Sequence, residues 1–189
     1  AANNEASDKF GVSISISGDT LVVGTGEEDS NQTTITNGTT SSSNNSNADS
    51  GAVFVYKRDG TNWAQEAYIK AANSEAGDKF GNTVSLDKDT LAVGAYEEDS
   101  QVTTITNGTS ASSDNNQNNS GAVYVYKRTG NNWAQESFIK AWNSDGSHDM
   151  FGYNVSLDND TLAVGAYWDN STGSVYIYKR TGSNWARED

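Results

Sequence analysis

The sequence contains no cysteine and no proline, and it has one histidine and one methionine among its 189 residues. The absence of cysteine excludes a disulfide framework and thiolate chemistry. Without proline, tight turns have to be made by glycine, asparagine, aspartate or serine. No apolar run approaches the roughly 20 residues of a membrane-spanning helix. We therefore expect no membrane insertion.

Basic residues are also scarce, with 12 Lys and Arg against 25 Asp and Glu and a net charge of −13. A nucleic-acid-binding face needs clustered positive charge, so nucleic acid is excluded as a partner. The single histidine, His148, has no repeated partner with which to form a metal or nucleophile site. No Gly-x-Ser-x-Gly nucleophile motif is present. We predict that the protein is not an enzyme.

What the sequence does contain is one unit in three copies. The segment that runs from Phe80-Gly81 to Val93-Gly94-Ala95 recurs after Phe10 and after Phe151. Copies this similar indicate duplication of one supersecondary unit. We place the three units at residues 1–70, 71–140 and 141–189. The start, Ala1–Ala6, resembles the internal 71–76, which predicts a repeat boundary within a longer parent chain or a processed end.

Each unit predicts four strands. Val12, Ile14 and Ile16 alternate with serine, which is typical of a half-buried strand. A nearly continuous apolar strand follows, and then two strands rich in β-branched and aromatic residues that are joined by a glycine turn. No segment has sustained helical periodicity. The sequence therefore predicts an all-β protein.

The first two units carry long insertions at residues 25–50 and 95–120, whereas the third has only 166–172 in that place. Because the third unit does without it, we interpret the insertion as an accessory carried on one face, where function is commonly added. Asn37-Gly38 and Asn107-Gly108 predict small hairpin tips within the insertions.

Four strands per unit, with Phe-Gly opening the first and Val-Gly-Ala closing the second, resemble the FG-GAP repeat. That repeat forms the blades of the integrin α-subunit β-propeller and of many bacterial secreted and surface proteins. The Gly-Ala-Val-Tyr-Val-Tyr and Asn-Trp-Ala-Gln-Glu stretches are similar to the bacterial branch. The resemblance implies a β-propeller of four-stranded blades, three of them in this chain, and an extracellular or cell-surface location. It also implies a ligand face, formed by the insertions and by the connections 73–79 and 143–150.

Three blades would leave two unpaired edges, because propellers typically have about 4–8 blades. Unpaired edges invite pairing with another chain. We therefore expect the propeller to be completed either by further blades of the same parent chain or by a second copy, two copies giving six blades.

Calcium is the ion that the resemblance implies, in the loop between the first two strands. Here that loop is Ser17-Gly18-Asp19 or Asp87-Lys88-Asp89, too few carboxylates for the ~6–8 oxygens that Ca²⁺ requires, so we predict a hairpin turn there. A second acidic set would bind Ca²⁺ if the loops that carry it meet; otherwise it is a solvated rim with loop-capping aspartates. This candidate metal set is Asp8, Glu27, Glu28, Asp29, Asp78, Glu97, Glu98, Asp99, Asp149 and Asp169.

Four aromatic residues lie in the connecting segments, which predicts either a sugar-binding site or packing between blades: Tyr96, Trp142, Tyr167 and Trp168. For function, we predict an extracellular, non-catalytic adhesion or recognition module that presents its loop face to a protein or glycan ligand. One alternative is a self-assembling structural unit of a large surface protein or fibre. Another is a lectin-like propeller.

Overall fold

The computed structural model describes residues 5–144 and 148–188; the predicted units also include residues 1–4, 145–147 and 189, which lie outside the described residues. Within the described residues the strands form three antiparallel sheets. Blade 1 consists of β1 (Ser13–Ser17), β2 (Thr20–Thr25), β3 (Thr36–Asn37), β4 (Ala52–Asp59) and β5 (Asn62–Ile69). Blade 2 consists of β6 (Thr83–Asp87), β7 (Thr90–Ala95), β8 (Ile105–Asn107), β9 (Ala122–Thr129) and β10 (Asn132–Ile139). Blade 3 consists of β11 (Phe151–Asp158), β12 (Thr161–Ala166), β13 (Ser174–Thr181) and β14 (Asn184–Arg187), with a 3₁₀ turn at Asp169–Ser171.

The predicted all-β fold of repeated sheets is confirmed, and the insertions add to it. The strand order is β1-β2-β4-β5-β3 in blade 1 and β6-β7-β9-β10-β8 in blade 2, so each insertion supplies a short fifth strand at the sheet edge. Thr36 pairs with Tyr68 of β5, and the amide of Gly38 donates to the carbonyl of Glu66 at 2.6 Å. The predicted Asn-Gly hairpin tips are therefore wrong, because these residues pair with the outer strand. A short added strand of this kind covers an otherwise open edge.

The turns between the first two strands of each blade are tight, as predicted. Gly18, Lys88 and Asn159 occupy the same turn position with positive φ values of 57°, 55° and 53°. The aspartate that follows accepts hydrogen bonds from an arginine of the neighbouring strand: two in blades 1 and 2, as when Arg128 Nε and Nη2 donate to Asp89 Oδ1 at 2.8 and 2.6 Å, and one in blade 3, from Arg180 to Asp160. The carboxylates of these turns are therefore paired with arginine.

Neighbouring blades contact each other through their first strands. The amide of Leu86 donates to Ser15 Oγ at 3.0 Å, and the amide of Leu157 donates to Ser85 Oγ at 2.9 Å. The serines of the alternating pattern therefore bond the next blade, while the apolar residues are buried in blade 2, at Val84 and Leu86, and exposed in blade 1, at Ile14 and Ile16.

The Phe-Gly motifs of blades 2 and 3 each fit into the blade before them. Phe80 is buried, its ring packs on Tyr124 of its own blade at 5.2 Å, and its backbone bridges to Gly51 of blade 1. A side chain at Gly24 would overlap the carbonyl oxygen of Gly81, and one at Gly51 would overlap that of Phe80. We call the receiving surface of blade 1 the Phe-Gly socket: Gly24, Gly51, Ala52 and Val53. Blade 2 receives Phe151-Gly152 in the same way, at Gly94, Gly121, Ala122 and Val123.

The added fifth strands also clasp the next blade. Asn37 Oδ1 accepts the amide of Trp133 at 2.8 Å, and Asn37 Nδ2 donates to the carbonyl of Trp133 at 3.3 Å. Asn107 repeats both bonds on Trp185, at 2.8 and 3.2 Å. The insertion thus stabilises the boundary between blades as well as the edge of its own sheet.

Candidate functional site

The end of each insertion and the following connection lie together at one end of the blades. The amide of Gly77 donates to the carbonyl of Ala48 at 2.9 Å, and that of Lys79 donates to Asp49 at 3.1 Å. At the next boundary the amide of Met150 donates to the carbonyl of Asn119 at 3.0 Å. We call this surface the loop face: residues 41–50, 73–79 and 111–120, with 143–144 and 148–150.

A buried ion pair anchors the loop face in blade 1. Lys70 Nζ lies 2.8 Å from Glu28 Oε2, and both side chains are buried. Ser50 Oγ accepts from Lys70 at 2.7 Å, and Tyr68 donates its hydroxyl proton to Glu28 Oε1 at 2.7 Å. Burial lowers the pKa of the Lys70 ammonium, although the facing Glu28 carboxylate opposes that shift. The first residues of the insertion are thereby fixed to the end of β5.

Blade 2 repeats the pair with one exchange of partners. Lys140 Nζ lies 2.6 Å from Glu98 Oε2, and Asn73 Nδ2 donates to Glu98 Oε1 at 3.0 Å. Phe138 stands where blade 1 has Tyr68, so the hydroxyl is supplied instead by Tyr124, which donates to Asn73 Oδ1 at 2.6 Å. In blade 3, Asp169 is buried and accepts from the Tyr176 hydroxyl at 2.8 Å.

The remaining carboxylates of the candidate metal set hold the loops in place. Asp29 and Asp99 accept backbone amides from their own insertions at 2.8 and 2.7 Å. Glu27 pairs with Lys9 at 2.7 Å. Asp8 and Asp78 accept amides three residues earlier, and Asp149 accepts the Ser144 hydroxyl. Glu97 forms a hydrogen bond with Tyr96, whose pKa is raised mainly by burial.

These carboxylates do not fit a calcium ligand set. Over residues 5–144 and 148–188, no three carboxylate or imidazole side chains come together as metal ligands. The two most buried glutamates, Glu28 and Glu98, each face a lysine ammonium. Burial also raises the pKa of Asp78 to about 8, with Glu98 and Glu75 adding to the effect.

The structure brings three of the four candidate aromatic residues together and separates the fourth. Tyr96, Tyr167 and Trp168 form a row with Tyr153, in which the successive ring centroids are 5.3, 5.0 and 5.6 Å apart. The repeat pattern gives no signal for Tyr153, because the corresponding residues of the other units are Val12 and Asn82. Tyr167 and Trp168 are exposed.

Trp142 lies apart from this row. Its ring packs on Tyr176 at 4.7 Å, and the Arg187 guanidinium lies 5.3 Å from its centroid. Trp142 therefore packs within blade 3.

An open cavity of about 390 Å³ lies beside the aromatic row, at the free end of blade 3. Its lining includes Tyr153, Asn154, Gly165, Tyr167, Gly173 and Val175. The cavity is largely apolar with an amide at its wall, so it suits an aromatic or apolar group joined to a polar backbone.

Comparison with known families agrees with this architecture. The family model of the FG-GAP repeat matches residues 1–56, 63–126 and 133–178. The chain belongs to the FG-GAP repeat family. The second and third matches each begin near an outer strand, β5 or β10, and continue into the next blade, so the family unit spans a blade boundary of this FG-GAP protein.

FG-GAP repeats are typical of extracellular or surface proteins, and propellers built from them are generally non-catalytic. No curated protein matches the chain. Over residues 5–144 and 148–188, none of the helical structure has the length and apolar character needed to cross a membrane.

Proposed function

We propose that this FG-GAP protein is a non-catalytic adhesion or recognition module of an extracellular or surface protein, and that it binds a protein or glycan through its loop face. The observation that carries the proposal is the backbone hydrogen bonding between each insertion and the following connection, such as Gly77 to Ala48 and Met150 to Asn119. Loops fixed in this way lose little conformational freedom when a ligand binds, which favours affinity.

The groups that the loop face exposes are mainly amides and hydroxyls. Asn44 and Asn45 are exposed in the insertion of blade 1, and Asn115 and Asn116 are exposed in the same stretch of the blade 2 insertion. The carboxylates beneath them are bound to lysines and backbone amides. Two equivalent polar surfaces side by side suit a repetitive ligand, which gains avidity from binding both.

Array binding with paired variants tests this proposal. The labelled protein is applied to arrays of glycans and of purified extracellular proteins, together with an Asn44→Ala/Asn45→Ala variant and an Asn115→Ala/Asn116→Ala variant. We expect binding that each loop-face variant weakens. Asn131→Ala, in the turn between β9 and β10 at the opposite end of blade 2, serves as the control and should bind normally. Binding that all three variants retain would contradict the proposal.

A second candidate, carbohydrate binding, is favoured by the exposed aromatic row that ends at Trp168. Sugar rings stack on exposed aromatic faces. Glycan binding that is lost in Trp168→Ala and kept in Trp142→Ala would support this candidate, since Trp142 lies outside the row.

A further inference from the structure

Three contacts recur at both blade boundaries within the chain. The Phe-Gly motif of one blade enters the socket of the blade before it. A serine of the preceding blade accepts a first-strand amide, as Ser15 does from Leu86. A glutamate of the preceding outer strand accepts from an arginine and a tryptophan of the next blade, as Glu66 does from Arg128 at 2.9 Å and from Trp133 Nε1 at 3.0 Å.

Blade 3 carries an unoccupied copy of the surface that receives the Phe-Gly motif in blades 1 and 2. Gly165 stands at the place of Gly24 and Gly94, and Gly173 has the same φ of 80° as Gly51 and Gly121. Val175 is 71% exposed, whereas Val53 and Val123 are fully buried by the Phe-Gly motif that follows them. The cavity at the free end of blade 3 is therefore a third Phe-Gly socket.

Blade 1 carries an exposed copy of the surface that enters the socket, namely its Phe-Gly motif and first strand. Phe10 is 39% exposed, whereas Phe80 and Phe151 are fully buried in the corresponding positions. Ile14 and Ile16 are 69% and 62% exposed, although the residues that correspond to them in blade 2, Val84 and Leu86, are buried. These apolar side chains form one uncovered face.

The polar groups of the two free faces match as well. Ser156 holds the repeat position of Ser15 and Ser85, whose hydroxyls accept an amide of the next blade, and it is exposed. The amide of Ile16 holds the repeat position of the Leu86 amide, which donates to Ser15. Glu188 holds the repeat position of Glu66 and Glu136, because all three lie three residues after the tryptophan of the outer strand of their blade. Arg58 and Trp63 of blade 1 hold the places of Arg128 and Trp133. Each half of the recurring interface is thus present on the same chain.

We propose that a second copy of this chain docks head to tail, with its Phe10-Gly11 in the socket formed by Gly165, Gly173, Ser174 and Val175. The contact between the two copies would repeat the interface that already joins blade 1 to blade 2 and blade 2 to blade 3. A head-to-tail contact closes into a ring when its rotation permits. Two copies give six blades, which lies within the ~4–8 blades of closed propellers.

This contact lacks one element of the internal boundaries. Blade 3 has no long insertion, so it offers no counterpart of the Asn37 clasp on Trp133. The pairing of copies should therefore be weaker than the packing of blades within a chain, and it should reverse on dilution.

Sedimentation velocity over a range of protein concentrations tests the docking. We expect the mass to rise from one copy to two as the concentration increases. Gly165→Ala should abolish the pair without unfolding the chain, because the nearest atom to the added Cβ is 3.7 Å away in the single chain, whereas Cβ atoms at Gly24 and Gly94 would overlap the next blade. Phe10→Ala removes the entering ring and should have the same effect.

Mixing the two variants supplies the sharpest control. Gly165→Ala keeps an intact Phe10, and Phe10→Ala keeps an intact socket, so an equimolar mixture should recover a pair through one interface. Trp168→Ala, outside the socket, should pair normally. A single-copy mass at every concentration, pairing that Gly165→Ala retains, or growth beyond two copies would overturn the proposal. The loop-face variants leave both free faces intact, so failure of ligand binding and failure of pairing are separate results.

Discussion

Glu98 and Lys140 form an ion pair with a 2.6 Å separation between Oε2 and Nζ, and both side chains are buried. Glu98 lies at the start of the second insertion, and Lys140 follows the last residue of β10. The pair therefore fixes the insertion to the outer strand across 42 residues of chain. Each charge depends on the other, since an isolated buried charge is strongly unfavourable.

Replacement of one member of the pair should destabilise the protein severely. We expect Lys140→Met to lower the free energy of unfolding by about 3–5 kcal/mol, because it leaves the Glu98 carboxylate buried without a cation. Urea denaturation measures the change. The double variant Lys140→Met/Glu98→Leu is the control and should be closer to wild type. Equal losses in the single and double variants would show that the charges are not coupled.

The strands and the family could be predicted from the sequence because their signals are local. Alternation over Val12, Ile14 and Ile16 predicts β1, and Gly-Asp or Asp-Lys-Asp turns predict the hairpins. The partners of the serines could not be predicted in this way. Ser15 bonds Leu86, a residue 71 positions away in another blade, and the alternating pattern is the same whether serine faces water or a neighbouring sheet.

The candidate site was less predictable, for a similar reason. An acidic run such as Glu27-Glu28-Asp29 has the same composition whether it binds calcium, faces solvent or is buried against lysine. A signal was present, because Lys70 and Lys140 recur together with Glu28 and Glu98, and each lysine lies 42 residues after its glutamate. The fifth strand gave no such signal. Asn-Gly is the strongest short hairpin motif, so Asn37-Gly38 and Asn107-Gly108 indicate a turn although Asn37 and Asn107 pair with the outer strand.

The second prediction concerns the glycine that closes the second strand. In Gly94→Ala the added Cβ overlaps the carbonyl oxygen of Gly152, a backbone atom that cannot move without displacing blade 3. We expect a loss of about 1–3 kcal/mol in the free energy of unfolding. Gly165→Ala at low protein concentration is the matched control and should stay within about 0.5 kcal/mol. Similar losses at both positions would indicate an effect of alanine on the strand itself.

The third prediction concerns the clasp between the insertion of blade 2 and blade 3. Asn107→Ala removes both side-chain hydrogen bonds to the backbone of Trp185. We expect faster hydrogen exchange at the Trp185 amide and a loss of about 1–2 kcal/mol. Thr104→Ala, an exposed position of the same insertion, is the control. Unchanged protection of the Trp185 amide would mean that the outer strand does not depend on the clasp.

The fourth prediction concerns calcium. Because Glu28 and Glu98 face lysines and the other carboxylates hold backbone amides, millimolar Ca²⁺ should leave the Tm unchanged and give no heat of binding. A ligand at about 100 times its Kd would add roughly 2.7 kcal/mol of stability, which a thermal shift readily detects. Mg²⁺ at equal ionic strength is the control. A rise in Tm with Ca²⁺ and not with Mg²⁺ would contradict the prediction and indicate that the acidic set binds calcium.

The fifth prediction concerns Asp78, whose pKa burial raises from 3.8 to about 8. Between these values the folded protein retains a proton that the unfolded chain has lost, so the free energy of unfolding falls as the pH rises. Relative to Asp78→Asn, which can still accept the Glu75 amide, wild type should lose roughly 1 kcal/mol per pH unit across this window.

Urea denaturation at intervals between pH 4 and pH 8 measures this difference. The exposed Asp19 is the control, because Arg58 lowers its pKa. The stability that Asp19 contributes is present above its unfolded pKa and is lost only as the pH falls through its lower folded pKa. Asp19→Asn should therefore alter the curve at the acidic end and leave the neutral range unchanged. Parallel curves for wild type and Asp78→Asn between pH 4 and pH 8 would show that Asp78 is ionised in the folded protein, and that its burial is compensated by a cation.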